Sequence, residues 1–438
     1  MKRNVRIALW LFAYFIMVFG PLFLLVLAPR PPQREFWRDF SVGLGFAALT
    51  LLGLQFVPTG RIPALSTLFP LDTLYRFHHR ISVLAWILAL AHPVILFVNN
   101  PYTLRLLDIF SAPWRARAAL VAVVAMTFLV VSSVWRRKLA IVYEPWRGSH
   151  AVAAILATVL AFYHMLKVNY YSASPFQRIF WIGLALVWAA FQVYVRLIKP
   201  WLLTRHPYVL AELIPERGDS VTLSLNPVGH SGMTFRPGQV AWLTIGQSPF
   251  GIREHPFSMT SSAEHPERLE FTVRSLGDFT SQLGGLAPGE RVYVDGAYGT
   301  FDATQSDATA YALIAGGIGS APMMSILRTM ADRGDERPVI LFYGNWSWDS
   351  ITFREELDVL EERLNLNVVH VLEMPPEGWD GEVGYVTADV LDRHLPPERN
   401  EYIYFICGPL PMLGAVRRAL RQLRIPLSRI HSEEYDMA

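Results

Sequence analysis

Six long apolar stretches in the first 200 residues constrain the fold more than any other feature of the sequence. They cover about residues 7–28, 40–57, 81–98, 118–135, 149–166 and 179–195, and none contains Lys, Arg, Asp or Glu. Each approaches the roughly 20 apolar residues that an α-helix needs to cross the hydrocarbon core of a bilayer. The sequence therefore predicts an α-helical membrane bundle of six spans over residues 1–200.

The distribution of charge separates this half from the rest of the chain. Residues 1–200 carry 20 Lys and Arg against 5 Asp and Glu, whereas residues 201–438 carry 19 against 32. Because the basic residues lie between apolar stretches, they indicate membrane flanks and not a nucleic-acid-binding surface. Twelve of them lie on the side of the N-terminus and eight on the opposite side. The positive-inside rule therefore predicts a multi-pass protein of the plasma or cytoplasmic membrane, with both termini in the cytosol.

Four histidines interrupt the apolar pattern in two equal steps. His78 and His92 bracket the third stretch, His150 and His164 bracket the fifth, and both pairs are 14 residues apart. On an α-helix, 14 residues advance about 21 Å and return to nearly the same face. Helices three and five run in the same direction, so His78 can face His150 and His92 can face His164. His79 is an alternative to His78, although its spacing from His92 turns it about 100° away.

This arrangement is the one expected for two stacked haems with histidine ligands on both sides of each iron. Ionisable residues inside a membrane favour a functional role. A haem with two histidine ligands has no open iron position and carries electrons. The sequence therefore predicts two b-type haems, with metal ligands His78, His92, His150 and His164. Cys407 is the only cysteine, which excludes a cysteine-ligated cluster and an intrachain disulfide.

The pattern changes twice after residue 200. Short alternating runs separated by Pro and Gly turns over residues 207–302 predict a small antiparallel β-barrel. From about residue 309, buried strands alternate with helices, which predicts a doubly wound α/β sheet. We therefore expect three domains, at residues 1–200, 201–305 and 306–438. In the last, Gly317 and Gly319 lie between a strand and a helix, where backbone N–H groups can hold a pyrophosphate.

Five motifs in this half occur in an order that resembles ferredoxin–NADP reductase-like modules. They are residues 255–258 (HPFS), 277–280 (GDFT), 295–299 (DGAYG), 316–322 (GGIGSAP) and 407–412 (CGPLPM). Preceded by six spans with paired histidines, the whole chain resembles the superfamily of membrane ferric reductases and NADPH oxidases. The resemblance implies FAD and two b-type haems as cofactors and NAD(P)H as electron donor.

The resemblance also implies a set of binding residues. Those expected to contact FAD are His255, Pro256, Phe257, Ser258, Arg274, Gly277, Asp278, Phe279 and Thr280, with Tyr435 covering the flavin. Those expected to contact the nicotinamide nucleotide are Gly316, Gly317, Gly319, Cys407, Gly408 and Pro409. No residue is predicted to act as an acid or base. Trp346 stands where many relatives carry an arginine, and no carboxylate ends the strand before it, so the choice between NADH and NADPH stays open.

The function predicted from the resemblance is that of an NAD(P)H-dependent ferric reductase or NAD(P)H oxidase-type flavocytochrome b. Electrons would pass from cytosolic NAD(P)H through FAD and the two haems to an extracytoplasmic acceptor. That acceptor is a ferric chelate, or oxygen that is reduced to superoxide. Two alternatives stay open: a membrane-anchored flavin reductase that feeds a partner protein or quinone, and a histidine-relay transporter or proton channel with a regulatory reductase domain. Protein partners and oligomeric state are not predicted.

Overall fold

The six predicted membrane spans are all present as long helices. The computed structural model describes residues 3–27, 34–303 and 308–432. Six of its helices are long and apolar enough to cross a membrane, which makes the chain an integral multi-pass membrane protein. The helices of this half are α1 (Arg3–Leu27), α2 (Phe36–Leu54), α3 (Phe56–Thr59), α4 (Pro63–Ser66), α5 (Leu71–Asn99), α6 (Trp114–Val134), α7 (Tyr143–Val168), α8 (Pro175–Val193) and α9 (Lys199–Arg205).

Helix α5 begins ten residues before the predicted start of the third span. The prediction stopped at the charged residues before Ile81, but the helix continues back to Leu71. Asp72 lies in its first turn, where the helix dipole favours negative charge. His78 is therefore inside the helix and shares its register with His92.

The chain divides into two compact units with the boundary between Lys199 and Pro200, and the segment Phe69–Asp72 is grouped with the second unit. In the first unit, large aromatic and small residues pack together. Trp181 and Trp188 are buried beside Phe46 and Phe162, and Gly53 gives room to the Trp188 ring, which an added Cβ would overlap.

An antiparallel sheet begins the second unit, as predicted. Its strands are β1 (Tyr208–Glu216), β2 (Ser220–Pro227), β3 (Val240–Ile245), β4 (His255–Ser258), β5 (Leu269–Arg274) and β6 (Arg291–Tyr298). They pair in the order β4-β3-β6-β1-β2-β5. The inward-facing side chains, such as Leu210, Leu223 and Phe271, form one apolar core.

A parallel sheet follows, which confirms the α/β prediction. Its elements are β7 (Tyr311–Gly316), α10 (Ser320–Arg333), β8 (Val339–Asn345), α11 (Arg354–Arg363), β9 (Leu366–Leu372), β10 (Glu382–Val383), α12 (Ala388–His394), β11 (Ile403–Cys407), α13 (Leu410–Gln422) and β12 (Ile430–Ser432). The strand order is β10-β9-β8-β7-β11-β12. Strands β7 and β11 are buried at every position, as expected for strands covered on both faces.

Helices cover the two faces of this sheet in pairs. Alternate residues of β7 belong to two separate apolar clusters, one packed by α10 and α11 and the other by α12 and α13. The order of strands reverses between β7 and β11. In open α/β sheets, ligands bind at the carboxyl ends of the strands near such a reversal.

Candidate functional site

Two histidine pairs lie in the membrane unit, at the levels that the 14-residue spacing predicts. The ring centroids of His78 and His150 are 6.4 Å apart, with 62° between the ring planes. We call these residues the inner pair. His92 lies close enough to His164 for their charges to interact, and we call these two residues the outer pair. His79 is exposed, whereas His78 is half-buried and faces His150.

Hydrogen bonds set the tautomer of three of the four imidazoles. Nδ1 of His92 is 2.9 Å from the carbonyl oxygen of Ser41, and Nδ1 of His164 is 2.8 Å from that of Arg115. Because a carbonyl oxygen can only accept, each Nδ1 carries the hydrogen and each Nε2 keeps its lone pair.

The inner pair is held differently. The Ser133 hydroxyl donates to the carbonyl oxygen of Leu129 (2.5 Å), so its oxygen accepts from Nδ1–H of His150 (3.3 Å). Nδ1 of His78 is buried and has no hydrogen bond of good geometry among the described residues, and the nearest backbone acceptor is that of Gln55. Trp146 packs beside His150, with ring centroids 5.0 Å apart.

The separation of the inner pair fits two imidazoles that share one metal ion. A metal–imidazole nitrogen bond is about 2 Å long and the ring centroid lies roughly 1 Å behind the nitrogen, so two opposed ligands have centroids about 6 Å apart. The observed 6.4 Å agrees with this value. Within residues 3–27, 34–303 and 308–432, no three His, Cys, Asp or Glu side chains gather into a site for a bare metal ion. Two imidazoles at the inner-pair separation fit a group that supplies the remaining ligands of its own metal.

Small residues lie on α5 and α7 between the inner and the outer histidine pair. Ala85 and Ala157 stand midway between the histidines of α5 and α7, and both are fully buried. Gly45 of α2 lies against the His92 ring, whose nearest atoms would be 3.4 Å from an added Cβ. The two helices are thus closely packed midway between the histidine pairs, and α2 approaches the His92 ring without an intervening side chain.

A large cleft of about 1280 Å³ lies in the second unit, at the carboxyl edge of the parallel sheet. That volume exceeds the ~300–1,000 Å³ of pockets for a single small molecule. The cleft is lined on one side by the loops after β7, β8, β9 and β11, and on the other by β4, the end of β5 and Thr280 of the antiparallel sheet. We refer to it as the large cleft.

Glycines allow two loops to meet at the floor of this cleft. A Cβ on Gly319 would clash with the Cys407 carbonyl, 2.6 Å from its carbon and 2.9 Å from the Gly408 nitrogen. Gly317 has φ +52°, a left-handed conformation that favours glycine. Ser320, which follows Gly319, begins α10, and its hydroxyl accepts a hydrogen bond from the Tyr343 hydroxyl (2.9 Å). Burial raises the pKa of Tyr343 to about 12, so this phenol stays protonated and donating.

Residues of the antiparallel sheet approach the same floor. A guanidinium nitrogen of Arg274 lies 3.5 Å from the position of a Cβ on Gly317. The amides of Leu276 and Gly277 both donate to the Thr280 hydroxyl (2.9 and 3.0 Å). A 3-10 helix, Thr280–Gly285, begins at the same threonine. The Gly277 amide is therefore already engaged within the loop.

Most of the residues predicted from the motifs line the large cleft. Those that do are Pro256, Phe257, Ser258, Arg274, Thr280, Gly316, Gly317, Gly319, Cys407, Gly408 and Pro409. His255 and Phe279 instead stack on each other, with centroids 3.7 Å apart. Gly277 and Asp278 stand in the loop between Arg274 and Thr280. Tyr435, the predicted flavin cover, lies outside the described residues.

The sequence analysis missed several residues of these sites. In the membrane unit they are Ser133 and the carbonyls of Ser41 and Arg115, and only the hydroxyl of Ser133 left a sequence signal, as a polar group late in an apolar span. In the large cleft they include Glu373 and Tyr385. Glu373 directly follows a predicted strand, a position that could have been recognised.

Comparison with protein families separates the same two units. The model of the ferric reductase like transmembrane component matches residues 44–161, and that of the oxidoreductase NAD-binding domain matches residues 313–418. The first match contains His78, His92 and His150, and it ends three residues before His164. The second match contains the loop of residues 316–319 and the loop of residues 407–409.

Individual relatives match the second unit. NADH-cytochrome b5 reductase 1 of Aspergillus fumigatus is 31% identical over 222 residues, which cover 46% of this chain and 72% of that protein. The reductase of the same name from Pyricularia oryzae is 30% identical over 189 residues, 41% of this chain and 61% of that protein. The chain spans only 51–61% of the length of five such relatives.

A solved structure, the Amycolatopsis cytochrome P450 reductase GcoB, is 26% identical with a TM-score of 0.47, over 52% of this chain and 69% of that one.

The membrane helices match a ferric reductase component, and the second unit has the sheets and relatives of flavin- and nicotinamide-dependent reductases. The chain therefore has the fused architecture of membrane ferric reductases and NADPH oxidases, in which a ferric reductase like transmembrane component precedes an oxidoreductase NAD-binding domain.

Proposed function

We propose that this protein carries electrons across a membrane, from NAD(P)H through FAD and two b-type haems to an acceptor on the far side. The single observation that carries the proposal is the pairing of four histidines at two levels of one helix bundle. The 6.4 Å separation of the inner pair supports two axial ligands on one iron. The repeated 14-residue spacing supports a second haem about 21 Å further along the helices.

When bound, flavin accepts two electrons as a hydride and releases them singly, and each bis-histidine haem takes up one electron at a time. The chain's own residues hold these groups. His78, His92, His150 and His164 would each offer one ring nitrogen to iron, and the hydrogen bonds to Ser41, Arg115 and Ser133 orient His92, His164 and His150 with Nε2 free for that role. Such outer contacts fix ring orientation and raise ligand basicity.

In the second unit, we propose that backbone groups and one cation bind the dinucleotides. Gly317 and Gly319 would present amides to a pyrophosphate at the start of α10, where the helix dipole favours negative charge. Arg274 would add a full positive charge beside Gly317. Ser258 and Cys407 line the same cleft and would border the flavin and the nicotinamide.

For the electron acceptor on the far side of the membrane, we propose only a chemical class. Both a ferric chelate and oxygen, which would leave as superoxide, suit a haem with no open iron position, because electrons can leave it without a bond to iron. More basic residues flank the spans on the side of the N-terminus than on the opposite side. This difference supports a cytosolic location for both termini and for the reductase unit.

Sealed proteoliposomes test this proposal. NADH or NADPH is added outside, and ferric citrate with a ferrous indicator, or cytochrome c with and without superoxide dismutase, is trapped inside. We expect reduction of the trapped acceptor by nucleotide that cannot cross the membrane. His92→Ala should stop this reduction and leave flavin reduction by external nucleotide intact.

Two other outcomes point to the alternatives. Reduction of an external partner or quinone that survives His92→Ala indicates an anchored flavin reductase. Purified protein without haem that conducts protons indicates a histidine relay.

A further inference from the structure

The loops after β8, β9 and β10 form one rim of the large cleft. Asn345 ends β8 and Trp346 follows it, Glu373 follows β9, and Tyr385 follows β10. In the strand order these lie on one side of β7, whereas β11 and Cys407 lie on the other. Given the proposed function, a dinucleotide that crosses the glycine loop with its nicotinamide at Cys407 directs its adenosine toward this rim.

Glu373 is fixed at the rim by neighbouring backbone and one side chain. Its amide donates to the carbonyl oxygen of Asn345 (3.0 Å), and the amide of Met374 donates to that of Trp346 (2.7 Å). The Tyr385 hydroxyl donates to Oε2 of Glu373 (2.9 Å). That hydrogen bond raises the pKa of Tyr385, which keeps the phenol a donor. No ion pair to Glu373 occurs within the described part of the chain, so its charge is not neutralised by a neighbouring cation.

Two arginines beside the segment that follows β8 are committed elsewhere. Arg354 is mostly buried, donates to the Trp348 carbonyl (3.2 Å) and pairs with Glu355 (3.1 Å). Arg217 also pairs with Glu355 (2.6 Å). Arg418 of α13 also lines the cleft. A ribose 2′-phosphate, with about −1.5 to −2 charges, would meet a carboxylate here.

Two exposed aromatic rings flank this carboxylate. Trp346 is 60% exposed and Tyr385 is 68% exposed, although both line a cleft. Large exposed aromatic faces favour stacking with a planar partner such as a nucleobase. The rim thus offers a surface for adenine and an acceptor for ribose hydroxyls.

We infer that the large cleft selects NADH over NADPH, with Glu373 accepting a hydrogen bond from the adenosine ribose and repelling a 2′-phosphate. Carboxylates serve this purpose at strand ends in dinucleotide-binding sheets. The inference rests on the proposed function, because it requires a nicotinamide dinucleotide in this cleft.

The test uses the full-length protein in detergent with its flavin bound. Flavin bleaching is followed anaerobically after mixing with NADH or NADPH, and binding of 5′-ADP and 2′,5′-ADP is measured by calorimetry. We expect NADH to be preferred by about tenfold or more, which corresponds to ~1.4 kcal/mol, and 5′-ADP to bind more tightly. In Glu373→Gln both preferences should fall about tenfold, and Glu373→Arg should reverse them. Glu377→Gln, an exposed neighbour outside the cleft, is the matched control and should change neither.

Two results would overturn the inference while leaving the proposed function intact. One is a wild-type preference for NADPH. The other is a preference for NADH and 5′-ADP that Glu373→Gln leaves unchanged. If neither nucleotide reduces the flavin, the proposed function fails and the inference fails with it. The calorimetric comparison needs no electron transfer, so it distinguishes a lost ribose contact from a defective redox centre.

Discussion

The two candidate sites of this protein are built from different parts of the chain. In the membrane unit, four side chains carry the site and backbone carbonyls only orient them. In the second unit, backbone carries the floor of the site, where glycines let the β7 and β11 loops touch. A site made of side chains fails when a side chain is removed. A site made of backbone fails when a side chain is added.

The largest expected effect follows from removing an inner imidazole. His78→Ala should lower the haem content from two per chain to one and abolish haem reduction by NADH, because the remaining imidazole is a single axial ligand. His79→Ala is the matched control, since His79 is exposed and does not face His150. Haem is measured as the pyridine haemochrome. If His79→Ala loses a haem and His78→Ala keeps both, the ligand is His79 and the assignment of His78 is wrong.

Adding one methyl group tests the backbone site. Gly319→Ala forces the Cys407 loop away, and overpacking of this kind costs about 1–3 kcal/mol, or roughly 5- to 100-fold in flavin reduction by nucleotide. The haem content should stay at two per chain. Gly284→Ala is the control, because nothing lies within 4 Å of its added Cβ. Equal rates in both variants would contradict a close approach of the two loops.

A partly buried cluster of three charged side chains links the two sheets of the second unit. Arg328 of α10 donates to Glu270 of β5 (2.8 Å) and to both oxygens of Glu356 on α11 (2.6 and 2.7 Å), and its side chain is 17% exposed. Arg328→Met should cost about 3–5 kcal/mol and lower the unfolding temperature of this unit by about 6–20 °C.

The control for that change is Arg333→Met, which removes an exposed pair with Glu264 and should cost at most about 1 kcal/mol. Flavin fluorescence reports unfolding of the second unit, and the haem spectrum reports on the membrane unit. A haem spectrum that changes in step with the flavin signal would show that the two units do not unfold separately.

The smallest expected effect concerns the difference between the inner and outer pairs. Ser133→Ala removes the acceptor from Nδ1–H of His150, a loss of about 0.5–1.5 kcal/mol. Weaker ligand basicity favours the reduced iron, so one haem potential should rise by about 20–60 mV. Ser149→Ala, which bonds only the Trp146 carbonyl, is the control. A redox titration that shows no shift would remove Ser133 from the account.

The same contrast explains what could be predicted from sequence. The six spans were predictable because an uncharged apolar length is itself the physical requirement for crossing a membrane. Strands β7, β8 and β11 were recognisable as continuous apolar runs between turn signals. Strand β10 was not, because two residues show no periodicity. Strand β4 was noticed only as a motif, since Pro256 argues against a central strand, and the sheet places β4 at its edge.

Site residues follow a similar division. The paired histidines were predictable because both their chemistry and their spacing are written in the sequence. The carbonyls of Ser41 and Arg115 were not, since every residue has a carbonyl and only the packing of α2 and α6 selects these two. Glu373 and Tyr385 meet only because β9 and β10 are neighbours, which no local pattern records.

The central claim is that four imidazoles hold two haems, and the most direct test is the haem-to-flavin ratio of the purified protein together with its spectrum. We predict two b-type haems per FAD, low-spin in both the oxidised and the dithionite-reduced states. Protein that carries flavin but no haem would contradict the account, as would haem that persists when His78, His92, His150 and His164 are all replaced by alanine.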